Sequence, residues 1–110
     1  MAVVPHTVDV GRWFTLTLDE QLGNVGSEVG RAAKWLRQGD TTQRDKALDR
    51  AFELLDLTIQ DPRWRHRLKE MCRARELVAD TFYGSREYND TPEGLEKYFG
   101  QFALAARKDK

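Results

Sequence analysis

Apolar positions recur along this chain at helical spacing, in four blocks separated by turn residues. In the first block Phe14, Leu18, Leu22, Val25, Val29, Ala32 and Leu36 fall on one row, which predicts a helix from about Arg12 to Gln38 that Gly39 stops. Its start is ambiguous, because Thr15 and Thr17 alternate with Phe14, Leu16 and Leu18 and also fit a strand. The second block follows Asp40-Thr41-Thr42. Asp40 or Thr42 can cap it, Asp40 and Gln43 have capping-box spacing, and Leu48, Ala51, Phe52, Leu55, Thr58 and Ile59 form its inner face. Asp61-Pro62 ends that helix and begins a third, from Pro62 to about Tyr83, with Trp64, Leu68, Met71, Cys72, Val78, Ala79 and Phe82 facing in. A loop from Ser85 to Asp90 precedes Thr91-Pro92-Glu93, which repeats the cap-proline-acid start. The last helix then runs to about Arg107.

Four helices with short connections predict an all-α, antiparallel, up-down-up-down four-helix bundle over residues 11–107. Residues 1–10 form a short N-terminal arm, in which Pro5 blocks a helix, and residues 108–110 a basic tail. One row in the first helix stands out. Gly23, Gly26, Gly30 and Ala33 recur at i, i+3, i+7 and i+10, on one side of the helix. Each interior glycine costs about 1 kcal/mol relative to alanine. Another helix backbone lying close against that side would compensate, so these four residues are expected to be helix-packing positions.

Composition agrees with a helical domain and narrows its chemistry. The chain has 110 residues, one domain's length, with 40% hydrophobic and 33% charged residues. Lys plus Arg equals Asp plus Glu at 18 each, so no global positive field gathers nucleic acid or an anionic membrane. A single cysteine, Cys72, excludes an intramolecular disulfide and suits a reducing compartment. With no signal peptide or membrane span in evidence, a cytoplasmic location is expected.

Charge is nevertheless uneven. Arg63, Arg65, Arg67, Lys69, Arg73 and Arg75, with His66, fall in one stretch that holds a single acid, Glu70. Three readings compete: a solvated face paired with the acidic stripe Asp45, Asp49, Glu53 and Asp56 of the neighbouring helix; a nucleic-acid contact through Arg63, Arg65, Arg67, Lys69 and Arg73; and a surface for an acidic protein partner. Arg75 falls within the apolar face and calls for a carboxylate, which Glu28 or Asp56 can supply. A buried Arg75–Glu28 ion pair is expected. Trp13 and Trp35 fall on the outer phase of the first helix, where they can anchor an interface or lie under the arm or a loop. Tyr83, Tyr88 and Tyr98 cluster near the third loop.

Catalysis has no visible apparatus. His66 is nearly two helical turns from Cys72, the two histidines form no metal-ligand spacing, and the glycines lack the strand and the Lys-Ser/Thr of a phosphate loop. No catalytic residue, metal or cofactor is indicated.

The run Leu22-Gly23-Asn24-Val25-Gly26-Ser27-Glu28-Val29 and the run Tyr88-Asn89-Asp90-Thr91-Pro92-Glu93, with Lys97-Tyr98-Phe99 and Phe102-Ala103, resemble a family of small uncharacterised bacterial helical proteins. That resemblance implies a fold but brings no activity. In length and helix plan the chain also resembles small four-helix-bundle accessory proteins, a group that includes the oligomeric partner of reverse transcriptases in diversity-generating retroelements. This implies an accessory, oligomeric role and assigns no binding residues. The expectation is a non-enzymatic interaction or oligomerisation module acting on a protein partner or on itself as a homo-oligomer. An accessory nucleic-acid binder is the alternative.

Overall fold

The computed structural model describes residues 9–84 and 90–108. They form an antiparallel, up-down-up-down four-helix bundle preceded by one short helical turn. The elements are α1 (Val10–Trp13), α2 (Leu18–Arg37), α3 (Thr41–Gln60), a 3-10 segment (Pro62–Arg67) that leads into α4 (Leu68–Tyr83), and α5 (Pro92–Lys108). The arm up to residue 8, the loop including Tyr88 and the last two residues of the basic tail lie outside the described residues.

Local chemistry places most boundaries. At the end of α2, Gly39 takes φ 76°. The Gly39 N–H donates to the Leu36 carbonyl at 3.0 Å and the Asp40 N–H to the Trp35 carbonyl at 2.9 Å, a Schellman closure. Asp40 then caps α3 by accepting from the Gln43 N–H at 3.0 Å. Two residues of this link thus serve two helix ends, which holds α2 and α3 in a tight hairpin. Asp61 accepts from the Arg63 N–H at 3.0 Å, and Thr91 accepts from the Gly94 N–H at 3.0 Å, each with a proline next in line.

The first helix is not continuous. Thr17 and Glu20 form a reciprocal capping box, with the Glu20 N–H on the Thr17 hydroxyl at 3.1 Å and the Thr17 N–H on the Glu20 carboxylate at 2.9 Å. This is a strong N-terminus in its own right. The chain therefore turns between Trp13 and Leu18, and the helical phase restarts. Trp13 follows the break inward. It is only 5% exposed and closes one end of the core, so it is not an outward interface anchor.

The core is built from Leu22, Val25 and Val29 of α2, Leu48, Ala51 and Leu55 of α3, Met71 and Val78 of α4, and Leu95 and Phe99 of α5. The helix α2 packs closely along both α3 and α5, whereas α4 meets its neighbours over fewer positions. Small residues explain the difference. A Cβ on Gly26 would stand 2.6 Å from the Phe99 Cβ, and one on Gly23 would stand 3.0 Å from the Ala103 Cα. Ala33 is fully buried on the same helix.

Gly30 does not share in this. Nothing lies within 4 Å of where its Cβ would be. Helices that cross touch over a limited length, and toward the C-terminal end of α2 the gap to α5 is spanned by long side chains. Arg37 reaches Glu93 at 3.2 Å and Glu96 at 3.4 Å there.

The two glycines should therefore respond oppositely to the same substitution. Gly26→Ala is expected to destabilise the fold by about 1–3 kcal/mol, because α5 must shift to admit the methyl. Gly30→Ala should stabilise it by about 0.5–1 kcal/mol through helix propensity. Urea denaturation of both variants checks the pair.

Candidate interaction groove

The basic stretch does not form one face. Trp64 has φ −105° and ψ 21°, and Arg67 has φ −117° and ψ 13°, so helical register is lost between Arg63 and Leu68. The two halves of the stretch go to different tasks.

Arg63 belongs to a structural clasp. Asp61 is buried, and it accepts from the Arg63 guanidinium at 2.6 Å and from the Gln21 side-chain amide at 3.2 Å. The guanidinium also donates to the Leu16 carbonyl at 2.7 Å and lies over the Trp64 ring, 4.4 Å from its centroid. Gln21 is fully buried. Its amide donates to the Trp13 carbonyl at 2.9 Å, and its oxygen accepts the Trp64 indole N–H at 2.9 Å. The clasp thus ties the α1–α2 turn, α2 and the start of the 3-10 segment together at one end of the bundle. Arg63 is held by these bonds although its side chain remains partly exposed. Its hydrogen bonds hold the Asp61 carboxyl below the ordinary carboxylate range, and the Gln21 bond adds to them.

Arg75 and Glu28 do not meet. Arg75 donates to Asp56 at 2.7 Å, and the two side chains are 41% and 47% exposed, so the pair sits at the surface between α4 and α3. Glu28 pairs with Arg31 at 3.0 Å and with Arg50 at 3.1 Å. The long arginine side chain lets Arg75 leave the apolar face that its helical phase assigns to it. Its aliphatic stem and guanidinium cover Phe52, 4.9 Å from the ring centroid. Trp35 is half-buried, with the Lys34 ammonium 5.2 Å from its ring centroid. Cys72 is half-buried as well.

Past the clasp, Arg67, Lys69 and Arg73 converge with His66 around an open groove of about 570 Å³ between α4 and α5. Ala74, Leu77 and the ring of Tyr98 make its floor. Glu70, Ala74 and Leu77 follow one another at i, i+4 and i+7 and so share a face of α4. The groove arises where packing is least tight, on the side of the bundle away from the close approaches of α2.

Tyr98 is held in place by edge-to-face contacts with Phe99 at 5.1 Å and Phe102 at 5.4 Å. Burial, with the Glu70 charge next, pushes its phenol pKa upward. Arg67 pairs with Glu70 at 2.6 Å, both side chains being well exposed. Arg65 is exposed and lies outside the groove.

A second hollow of about 340 Å³ lies beside α1, but its charges are largely matched: Glu28 sits between Arg31 and Arg50 there, and Asp9 joins Arg12 on the lining. Among the described residues there is no group of three or more His, Cys, Asp or Glu side chains that could hold a metal ion. Nor is any helix among them long and apolar enough to cross a membrane. Comparison with protein-family models, curated proteins and solved structures finds no match for the chain.

The clasp makes a prediction about acid stability. The folded-state pKa of Asp61 lies below its unfolded value, so its contribution is complete above the ordinary carboxylate range and is lost as pH falls below about 4. Asp61→Asn should cost about 1–3 kcal/mol at pH 7, because the carboxylate is buried and hydrogen-bonded while the Arg63 it leaves behind is exposed to water. The deficit relative to the parent should shrink as the parent loses the same interaction in acid. Urea midpoints measured from neutral pH to pH 3 check both statements.

Proposed function

We propose that this chain is a non-enzymatic helical interaction module, acting as an accessory or scaffold protein that docks a protein partner in the groove between α4 and α5. One observation carries the reading. The groove joins an apolar floor (Ala74, Leu77, Tyr98) to a cationic rim (Arg67, Lys69, Arg73). A face that serves only to be solvated has no need of an apolar floor, whereas docking faces combine an apolar centre with a polar rim. The resemblance in helix plan to accessory bundles agrees with such a role. A second copy of the chain is one candidate partner. The alternative, an accessory nucleic-acid binder, draws on the same rim.

Photo-crosslinking in cells tests the reading. A benzoylphenylalanine placed at His66, exposed at the groove, is expected to yield protein adducts, and one placed at Lys34, exposed on α2, is expected to yield none. An adduct at twice the 12.7 kDa chain mass identifies a second copy. Adducts sensitive to nuclease would replace the protein partner with the nucleic-acid alternative, and equal labelling from both positions would remove the groove from the account.

A further inference from the structure

We infer that α4 is a hinged wall of the groove, which swings about the junction between Trp64 and Leu68 while α2, α3 and α5 stay packed. The opening follows from packing alone, and its bearing on docking rests on the groove as the docking face.

The hinge is visible in the backbone. Helical register is lost at Trp64 and again at Arg67, so the 3-10 segment and α4 do not form one rod. The first half of that segment is fixed, because Arg63 holds Asp61 and the Trp64 indole donates to the buried Gln21. Movement therefore begins past Trp64. At the junction, Arg67 gives α4 no side-chain cap. The starts of α2, α3 and α5 are capped by Thr17, Asp40 and Thr91. Without a cap, the first turn of α4 frays more readily than theirs.

The closed position is held lightly. Close approach along α3 and α5 belongs to α2, whereas α4 meets the same two helices over fewer positions. Its buried apolar residues are Met71, Ala74 and Val78. Thr81 is buried as well, and its hydroxyl has no hydrogen-bond partner. That hydroxyl loses water when α4 closes and regains it when α4 opens, so closure works against a cost at this position. Links to α3 include Arg75 on Asp56 at 2.7 Å and the Tyr83 hydroxyl on Asp45 at 2.8 Å. Both lie half exposed, where such contacts contribute little. Arg73, Glu76 and Asp80 are engaged too, and with Met71 and Val78 buried the closed position is the resting one.

The place of α4 gives the motion its use. Ala74 and Leu77 line the groove from α4, and Tyr98 lines it from α5. Moving α4 outward widens the groove and bares Met71 and Val78. The open form thus offers a partner more apolar surface than the closed form, and a partner that uses this surface shifts the population toward it.

Thiol labelling of the full chain under native conditions tests the hinge. In a Cys72→Ala background, Val78→Cys puts the sole thiol at a fully buried position of α4. A disulfide reagent is expected to label it at least about tenfold faster than global unfolding permits. The urea dependence of that rate should fall well below that of global unfolding, because less surface is exposed. Ala74→Cys gives the same reading should Val78→Cys not fold. Two further substitutions separate local from global opening. Gly30→Ala lies outside α4 and stabilises the whole bundle, so the rate should stay unchanged, whereas a global opening would slow it about twofold to fivefold. Tyr83→Phe removes a link that the motion breaks and should raise the rate about twofold to fivefold. With the crosslinker at His66, Tyr83→Phe should also raise partner capture in step.

A rate that matches global unfolding in size and urea dependence, a slowing by Gly30→Ala, or no response to Tyr83→Phe would each overturn the hinge. Faster labelling with unchanged capture at His66 would overturn its link to docking. Should His66 capture nothing at all, the groove falls as the docking face, and the labelling still decides the hinge.

Discussion

The backbone of α2 lies against α5 at Gly23 and Gly26, and the rest of the bundle is arranged around that approach. A methyl on Gly26 would come within 2.6 Å of the Phe99 Cβ, closer than carbon atoms approach without displacement. A helix that gives up about 1 kcal/mol of propensity at each glycine recovers it only if the neighbour comes correspondingly near. Buried alanines (Ala32 on α2, Ala47 and Ala51 on α3) suit an equally close fit on the other flank. With α2 drawn in on both flanks, α4 is left with bulkier contacts and fewer of them. The α4–α5 groove is the open consequence of close packing elsewhere.

Polar groups finish the ends of the bundle. The Asp61–Arg63–Gln21–Trp64 clasp fixes the turn between α1 and α2 against the start of the 3-10 segment. It also engages Arg63 with the buried Asp61. What remains toward α5 is the rim of Arg67, Lys69 and Arg73 around apolar side chains. Charge in this protein is therefore better understood by location than by total, since basic side chains gather along one segment of a chain whose net charge is zero.

Much of this was legible in the residues. The cap-proline pairs Asp61-Pro62 and Thr91-Pro92, the capping Asp40 and the stop at Gly39 place helix ends through chemistry confined to a few neighbouring positions. The pair Gly23 and Gly26 was legible because i, i+3 spacing puts both on one face. Gly30 shared the pattern but not the contact, because periodicity records which face a residue occupies and not how far along the helix the neighbour stays close. Trp13 falls on the outer phase only along an unbroken helix. The spacing of Thr17 and Glu20, a capping box three residues apart, marks the break that moves it inward. Composition groups Arg63 with its basic neighbours because it does not reveal the 3-10 segment. The nearer clue was its position two residues after a capping aspartate. Arg75 and Glu28 illustrate a different limit: a long side chain chooses its carboxylate in three dimensions, and Asp56 on the adjoining helix was within reach at the surface. The groove itself had no local signature, since its floor and rim come from two helices whose separation only packing determines.

Native-state amide hydrogen exchange tests the central claim most directly, because it measures how tightly each helix is held. If close packing of α2 against α3 and α5 organises the bundle, amides in the middle of those three helices exchange only through global unfolding. Those of α4 then exchange through a smaller opening, with distinctly lower protection. Protection in α4 equal to that in α2, or lower protection at Gly23 and Gly26 than at Met71 and Val78, would contradict the account.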